Sequence, residues 1–197
     1  MPNLRKVIVI YLQRLMLALL GFCLVACVSA QMPAPTASMA NLEKLRNANL
    51  ATAKLGEFKL AKDKKAEMDS SVGGLRGSSI KAANGSFSQQ LKDEVMVEMK
   101  AAGLYDESSK ITIESQLTDS QVDAAIKTGF ARLAARFIVN RDNKMAFDKE
   151  LSVDSAWESS FVGAIAIPMA INQYTALYKS LVGKLFDDAE FRAALAK

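Results

Sequence analysis

The N-terminal segment that ends at Val28 constrains most strongly what the rest of this chain can fold into. Three basic residues, of which the last is Arg14, precede an apolar run from Leu15 to Val28, and no acidic residue occurs before Cys27. The run has roughly two thirds of the residues that a bilayer-spanning helix needs, and is typical of a signal-peptide core. A retained membrane anchor is the alternative, but it would carry Arg14 into the hydrocarbon at about 2.5–3.5 kcal/mol. We therefore expect a removable leader, with the folded part after it.

The end of this run carries a four-residue motif that resembles a bacterial lipobox: Leu24, Val25, Ala26 and Cys27. The resemblance implies that residues 1–26 are a lipoprotein signal peptide and that Cys27 becomes a lipid-modified N-terminus. Val28, rather than an aspartate, follows the cysteine. In this respect the segment resembles lipoproteins that are sorted to the outer membrane. The alternative is ordinary secretory cleavage after Ala30, before Gln31, which would release a soluble, unlipidated protein.

Composition excludes several classes of function. Of the 25 basic residues three precede Cys27, so the remainder carries 22 against 21 acidic residues, a net charge of +1. This near-neutral balance gives no support for nucleic-acid binding. Cys23 leaves with the leader, so Cys27 is the only remaining cysteine and no internal disulfide is expected. The absence of histidine removes the Ser-His-Asp triad and the commonest metal ligand, so no cofactor or metal is expected.

The remaining chain divides into a tether and one domain. Residues 27–45 begin with small residues and prolines, which predicts a flexible tether that spans about 20–24 Å, or nearer 50 Å if the prolines stiffen it. The tether is expected to end near 41–50, where the leucines either begin a short helix or lead into the first strand. Residues 46–197 fit a single α+β domain. Its expected elements are a strand at 53–61, a glycine- and serine-rich loop at 62–85, a helix capped by Ser86 and ended by Gly103, a strand at 111–117, a hairpin at 130–157, a helix with Pro168 in its first turn, and a short helix opened by Asp187.

The residue pattern of the hairpin assigns one side of its strands to the core and the other to solvent. Alternation places six apolar residues on the core side: Leu133, Phe137, Val139, Phe147, Leu151 and Val153. Lys149 breaks this pattern and indicates either an edge position or a local irregularity. The order β-α-β-β-β-α predicts two helices on one face of a roughly four-stranded mixed sheet, with a parallel first pair and a polar second face.

This element order, with the lipobox and tether, resembles the small outer-membrane lipoproteins of the LptE, PqiC and YajG kind. The tract from Glu150 to Tyr174 is also similar to stretches of uncharacterised bacterial lipoproteins. The resemblance implies a location at the outer membrane, facing the periplasm, and a non-enzymatic role as a partner-binding accessory to envelope transport or assembly. It implies no binding residues.

Alternatives from other classes stay open. Asp148, Glu150 and Asp154 occupy alternating strand positions and could form the carboxylate face of a periplasmic hydrolase, although a solvated face explains them equally well. A soluble inhibitor or ligand-binding module is a further alternative. Trp157 and Phe161 could be an exposed contact for a partner or the membrane surface, or could be buried at the strand–helix junction. The segment 73–77 lacks the ending of a phosphate-binding loop and is interpreted as a plain loop.

Overall fold

The described part of the computed structural model, residues 29–46 and 48–197, forms twelve elements in one α+β domain. The predicted leader and lipobox, Cys27 included, lie outside these residues. The elements are β1 (Ser29–Gln31), α1 (Met39–Arg46), β2 (Lys54–Leu60), α2 (Glu67–Ser70), β3 (Val72–Leu75), β4 (Ser78–Lys81), α3 (Phe87–Ala101), β5 (Ile111–Asp123), β6 (Lys127–Arg141), β7 (Lys144–Ser159), α4 (Gly163–Asp187) and α5 (Ala189–Leu195).

The central sheet has the strand order β2-β5-β6-β7, in which β2 and β5 are parallel and the other pairs antiparallel. Helices α3 and α4 pack against it, and the rings of Phe87 and Tyr174 meet edge to face with centroids 5.7 Å apart. The predicted α+β fold, with two helices on one side of a four-stranded mixed sheet, is confirmed. In β6 the alternate residues Leu133, Phe137 and Val139 are buried, so hydrophobic alternation fixes which side faces the helices.

Local signals explain where α3 begins and ends. The Ser86 hydroxyl accepts a hydrogen bond from the backbone N–H of Gln89, as an N-cap requires. Gly103 has a positive φ just past the helix, which is the left-handed conformation that terminates helices. The stripe between them is buried: Phe87, Leu91, Val95 and Met99.

The segment expected as a loop at 62–85 is instead partly ordered structure. Strands β3 and β4 form a hairpin, and β1 adds to β4 in parallel, giving a second sheet of order β1-β4-β3. Three apolar side chains hold this sheet against the core: Val72, Leu75 and Ile80 are all buried. Glycine and serine surround these residues in the sequence and hide the strand pattern.

The segment expected as a flexible tether differs in the same way over its described part. Gln31 pairs with Lys81 in the second sheet, Met32 is buried, and α1 packs on α4 through Leu42 and Leu45. Burial of these apolar side chains offsets the entropy of ordering the segment. From residue 29 onward the chain is therefore part of the domain.

The C-terminal helices begin at other residues than expected. Helix α4 starts at Gly163, so Pro168 lies inside the helix. The proline ring crowds the carbonyl of Ala164, which lies in the exposed first turn and can tilt toward water. The cap of α5 is Asp188 rather than Asp187, because a carboxylate oxygen of Asp188 accepts from the N–H groups of Glu190 and Phe191. Throughout the part of the chain described here, helices lack the combination of length and hydropathy needed to cross a membrane.

Candidate functional site

One end of the domain gathers four segments that are far apart in sequence. Ser29, the first residue of β1, pairs with Ser79 beside the β3–β4 turn. The β5–β6 turn lies at the same end, because Gly74 in β3 accepts a hydrogen bond from the N–H of Ala124. The end of β7 joins them, since Ser159 pairs with Lys127. The N-terminal end of the described chain therefore lies beside the connection from β7 to α4.

Arg76 holds these segments together. Its side chain donates to three backbone carbonyls: Nε to Ala124 at 2.7 Å, Nη1 to Phe161 at 2.8 Å and Nη2 to Ser160 at 2.6 Å. The backbone of Arg76 has a positive φ, in the left-handed region, within the tight turn between β3 and β4. A planar guanidinium with five fixed donors suits such a multiple contact. The arginine thus fixes the β5–β6 turn against the start of α4.

Exposed apolar side chains cover this end. We call them the apolar tip, and its members are Ile126, Phe161, Val162, Ile165 and Met169. Phe161 is 78% exposed, Ile126 and Ile165 are each 55% exposed, and Val162 is 52% exposed. The sequence contains no charged residue between Glu158 and Lys179. Exposed apolar patches are typical of interaction sites in folded proteins, so this end of the domain is a candidate contact surface.

Trp157 and Phe161, which the sequence places together, lie in different environments. Trp157 is half-buried over Gly129, where an added Cβ would come within 2.2 Å of the indole ring. Phe161 is exposed, while its backbone carbonyl is bound by Arg76. Of the two, only Phe161 presents its ring to solvent, and its use as a contact stays a prediction.

The second surface of interest is the side of the central sheet opposite α3 and α4, which we call the open sheet face. Within residues 29–46 and 48–197 no helix packs on it, and cross-strand ion pairs cover it. Arg132 contacts Asp119 at 3.2 Å and Asp154 at 2.8 Å, and Arg136 binds both oxygens of Asp148. A polar groove of about 460 Å³ runs between these strands and the segment 61–68.

The three acidic residues considered for hydrolysis do lie on this face, but each has a partner. Asp148 pairs with Arg136, Asp154 pairs with Arg132, and Glu150 accepts from the Thr118 hydroxyl at 3.1 Å. The hydrogen bond from Arg136 lowers the pKa of Asp148 below its ordinary value. A general acid needs the opposite shift, toward neutral pH. The described residues also contain no cluster of three or more metal-binding side chains.

A third site, at the junction of α1, α3 and α4, contains two buried carboxyl groups. Glu98 accepts from the N–H of Ser38 at 2.9 Å and from the Asn41 amide at 3.0 Å. Burial raises the pKa of Glu94 to about 7, against a lowering by Lys179 and with a further increase from Glu98. These contacts fasten the N-terminal segment to the domain.

Sequence reasoning missed Arg76 and both glutamates. The position of Arg76 depends on contacts up to 85 residues away, and no local signal reports them. Glu94 and Glu98 did leave a signal, because Glu94 follows Leu91 at a spacing of three and Glu98 follows Glu94 at a spacing of four, so both fall on the apolar stripe of α3. A carboxylate on such a stripe indicates a buried polar contact.

Comparison with known proteins shows a similar fold in a solved structure but no match to a family. No family model and no curated protein matches the sequence. The crystal structure of XCC0632 from Xanthomonas campestris, of family DUF330, is similar with a TM-score of 0.54 at 15% identity, over 81% of this chain and 95% of that one. A minor lipoprotein from Acinetobacter baumannii has a TM-score of 0.44 at 11% identity, over 75% of this chain and 98% of that one. The first likeness shows that the α+β fold is shared with XCC0632.

Proposed function

We propose that this chain is a non-enzymatic, lipid-anchored protein of the bacterial envelope that binds another envelope protein. The lipobox resemblance of Leu24 to Cys27 supports the anchor, and Val28 supports sorting to the outer membrane, facing the periplasm. An accessory role in envelope transport or assembly follows from the resemblance to the small lipoproteins named above. The fold itself is compatible with many functions.

The open sheet face carries the partner-binding part of this proposal. Arg132 and Arg136 lie in β6, one of the two central strands, and acidic residues of the neighbouring strands hold them. Such pairs fix long side chains before a partner arrives, which lowers the entropy cost of association. Arginine is enriched at protein interfaces, and ion pairs at their rim select the partner. The groove beside segment 61–68 provides a concave site on this surface for a side chain of the partner.

The same pairs support binding rather than hydrolysis. A glycosidase-type mechanism needs one carboxyl group with a raised pKa beside a second that is ionised. On the open sheet face the pKa of Asp148 is lowered by the Arg136 hydrogen bond, and Asp154 contacts Arg132. The two ion pairs supply neutralised charge for recognition, and the lowered pKa of Asp148 is opposite to what a general acid needs.

The lipid anchor is tested by metabolic labelling with palmitate. We expect label on the wild-type protein and none on Cys27→Ser. A mature N-terminus at Gln31, read by mass spectrometry, would contradict the anchor and favour the soluble alternative.

The partner surface is tested by photocrosslinking in living cells. A photoreactive residue at Gln121, which is exposed on the open sheet face, should give a specific crosslinked protein. The matched control is Ser180, which is exposed on α4 at the opposite side of the sheet. Equal crosslinking at both positions, or none at Gln121, would refute the assignment of this surface.

The hydrolase alternative is tested with a variant that lacks the three carboxylates. The triple variant Asp148→Asn, Glu150→Gln and Asp154→Asn keeps the shapes of the side chains and removes their charges. Loss of the cellular phenotype with palmitate label and Gln121 crosslinking intact would favour hydrolysis over binding.

A further inference from the structure

We propose that the apolar tip inserts into the surface of the membrane that anchors Cys27, so that it fixes the orientation of the domain on that membrane. This inference rests on the lipidation of Cys27 proposed above. It adds a second membrane contact, made by side chains of the folded domain.

The chain places the anchor beside the tip. Only Val28 separates Cys27 from Ser29, so the Cα atoms of Cys27 and Ser29 are at most about 7.6 Å apart. Ser29 pairs with Ser79 next to the turn that carries Arg76, and Arg76 binds the backbone of Phe161. Acyl chains on Cys27 therefore enter the bilayer close to the tip, and no long tether intervenes.

The side chains of the tip suit a lipid surface. Val162, Ile165 and Met169 follow at spacings of three and four, so they share the outward face of the first turns of α4. Phe161 and Ile126 extend this face onto the neighbouring connection and turn. An apolar helix face of this kind lies in the boundary between headgroups and acyl chains. The stretch from Ser159 to Tyr178 lacks any charge that would oppose insertion.

Two features of the tip fit this role. Arg76 fixes the carbonyls of Ser160 and Phe161, so the apolar side chains are presented on a rigid base. The N-cap position of α4 is Val162, which offers no side-chain cap, although serine, threonine, asparagine and aspartate are preferred there. An exposed valine at this position costs helix stability and gains contact area outside the domain.

The charges around the tip identify which lipid property matters. Asp123, Lys127 and Glu158 are exposed charged residues at its rim, and together with the partly exposed Arg76 they sum to zero charge. Attraction to anionic headgroups needs a basic cluster, which this rim lacks. We therefore expect insertion to depend on the apolar interior of the bilayer and to proceed equally on zwitterionic lipid.

The test measures depth at the two ends of the lipidated protein in vesicles of phosphatidylethanolamine and phosphatidylcholine. A nitroxide is attached to Val162→Cys at the tip, or to Met145→Cys at the far end. Met145 is a matched control because it is also apolar and 62% exposed, yet it lies roughly 45 Å away along β7. We expect the label at 162 to meet oxygen more readily than a water-soluble nickel chelate, and the label at 145 to show the reverse.

A second measurement uses the protein without labels. Trp157 is the only tryptophan in the sequence and lies four residues before Phe161 of the tip. Brominated acyl chains should therefore quench its fluorescence if the tip inserts. The double variant Phe161→Asp and Ile165→Asp should lose this quenching, and Met145→Asp should retain it. Adding phosphatidylglycerol should leave the quenching unchanged.

The outcomes separate this inference from the proposal on which it rests. Labelling of Cys27 itself would show an unmodified thiol and refute the anchor. If Cys27 is lipidated and the label at 162 is as accessible to nickel as the label at 145, the anchor stands and tip insertion is refuted. Burial of the label at 162 in native outer membranes alone, and not in pure lipid, would also refute it and assign the tip to a protein partner.

Discussion

Glu94 should make the stability of this protein fall as pH rises through neutrality. The side chain is buried among α1, α3 and α4, and its Oε1 atom has no hydrogen-bond partner among the described residues. Burial raises the pKa of Glu94 from 4.5 to about 7, with Lys179 lowering it and Glu98 raising it. Because the folded-state pKa is the higher one, the folded chain binds the proton more tightly than the unfolded chain does. The stability from this proton is present below about pH 4.5 and is lost as pH rises through about 7.

The size of the effect follows from the shift. One pKa unit corresponds to about 1.4 kcal/mol, so the full shift corresponds to about 3 kcal/mol. Between about pH 5 and pH 8 the linkage relation gives a loss of about 2.5 kcal/mol, because the unfolded carboxyl group is already partly ionised at pH 5. This loss is a large fraction of the stability of an ordinary domain.

The variant Glu94→Gln isolates this contribution, since the amide has nearly the same shape and does not ionise. Its free energy of unfolding, measured with urea, should exceed that of the wild type by about 2.5 kcal/mol more at pH 8 than at pH 5. Glu43→Gln is the matched control, because Glu43 is exposed on α1, and its difference from wild type should be the same at both pH values. Parallel pH profiles for wild type and Glu94→Gln would refute the reasoning.

Two further predictions concern the β3–β4 hairpin. Gly74→Ala should destabilise by about 1–3 kcal/mol more than Gly77→Ala, because both glycines are left-handed but only at Gly74 would a Cβ meet backbone, 1.9 Å from a carbonyl oxygen of β5; equal urea midpoints would contradict this. Arg76→Asn keeps a residue that tolerates positive φ and removes the guanidinium. Amide hydrogen exchange should then accelerate at 124–126 and 160–166 while α3 stays protected, and unchanged exchange at the tip would contradict the role of Arg76.

Local periodicity predicted the elements whose partners are close in sequence. The stripe of α3 and the cap at Ser86 need no distant information, and both are confirmed. The β6–β7 hairpin is fixed by alternation and by a turn at Asp142 and Asn143, both of which have a positive φ. Of the two alternatives at Lys149, the structure shows the edge position, since β7 is an edge strand of the central sheet and Lys149 contacts Asp188 at 2.9 Å on the cap of α5.

Elements that depend on distant pairing were missed. Strand β1 exists because β4 lies beside it, some fifty residues later in the chain, and three residues carry no period of their own. The burial of Val72, Leu75 and Ile80 likewise depends on the main core. The composition of these segments predicted a tether and a loop, whereas contacts with distant parts of the chain determine their structure.

The candidate sites also combine features that local sequence predicts with features that depend on distant contacts. Alternation brought Asp148, Glu150 and Asp154 to one face. The arginine partners of Asp148 and Asp154 lie on β6, and the hydroxyl that binds Glu150 lies on β5, so contacts from other strands decide the chemistry of these carboxylates. The sequence left Phe161 open between burial and exposure. In the structure the ring is exposed, and the backbone carbonyl of Phe161 accepts a hydrogen bond from Arg76, which lies 85 residues earlier in the chain.

Ordering of the N-terminal segment changes how the anchor is expected to act. A flexible tether over 27–45 would let the domain stand off and rotate freely about its lipid. Instead, β1 pairs with β4, and Glu98 accepts a hydrogen bond from the backbone N–H of Ser38 just before α1, so the segment from Ser29 to α1 is held against the domain. The strands of the β6–β7 hairpin then lead away from the anchor for roughly 45 Å. The proposed anchor at Cys27 would then hold the open sheet face within a limited range of distances from the bilayer. The proposed partner would therefore be one that projects from, or lies near, the same membrane.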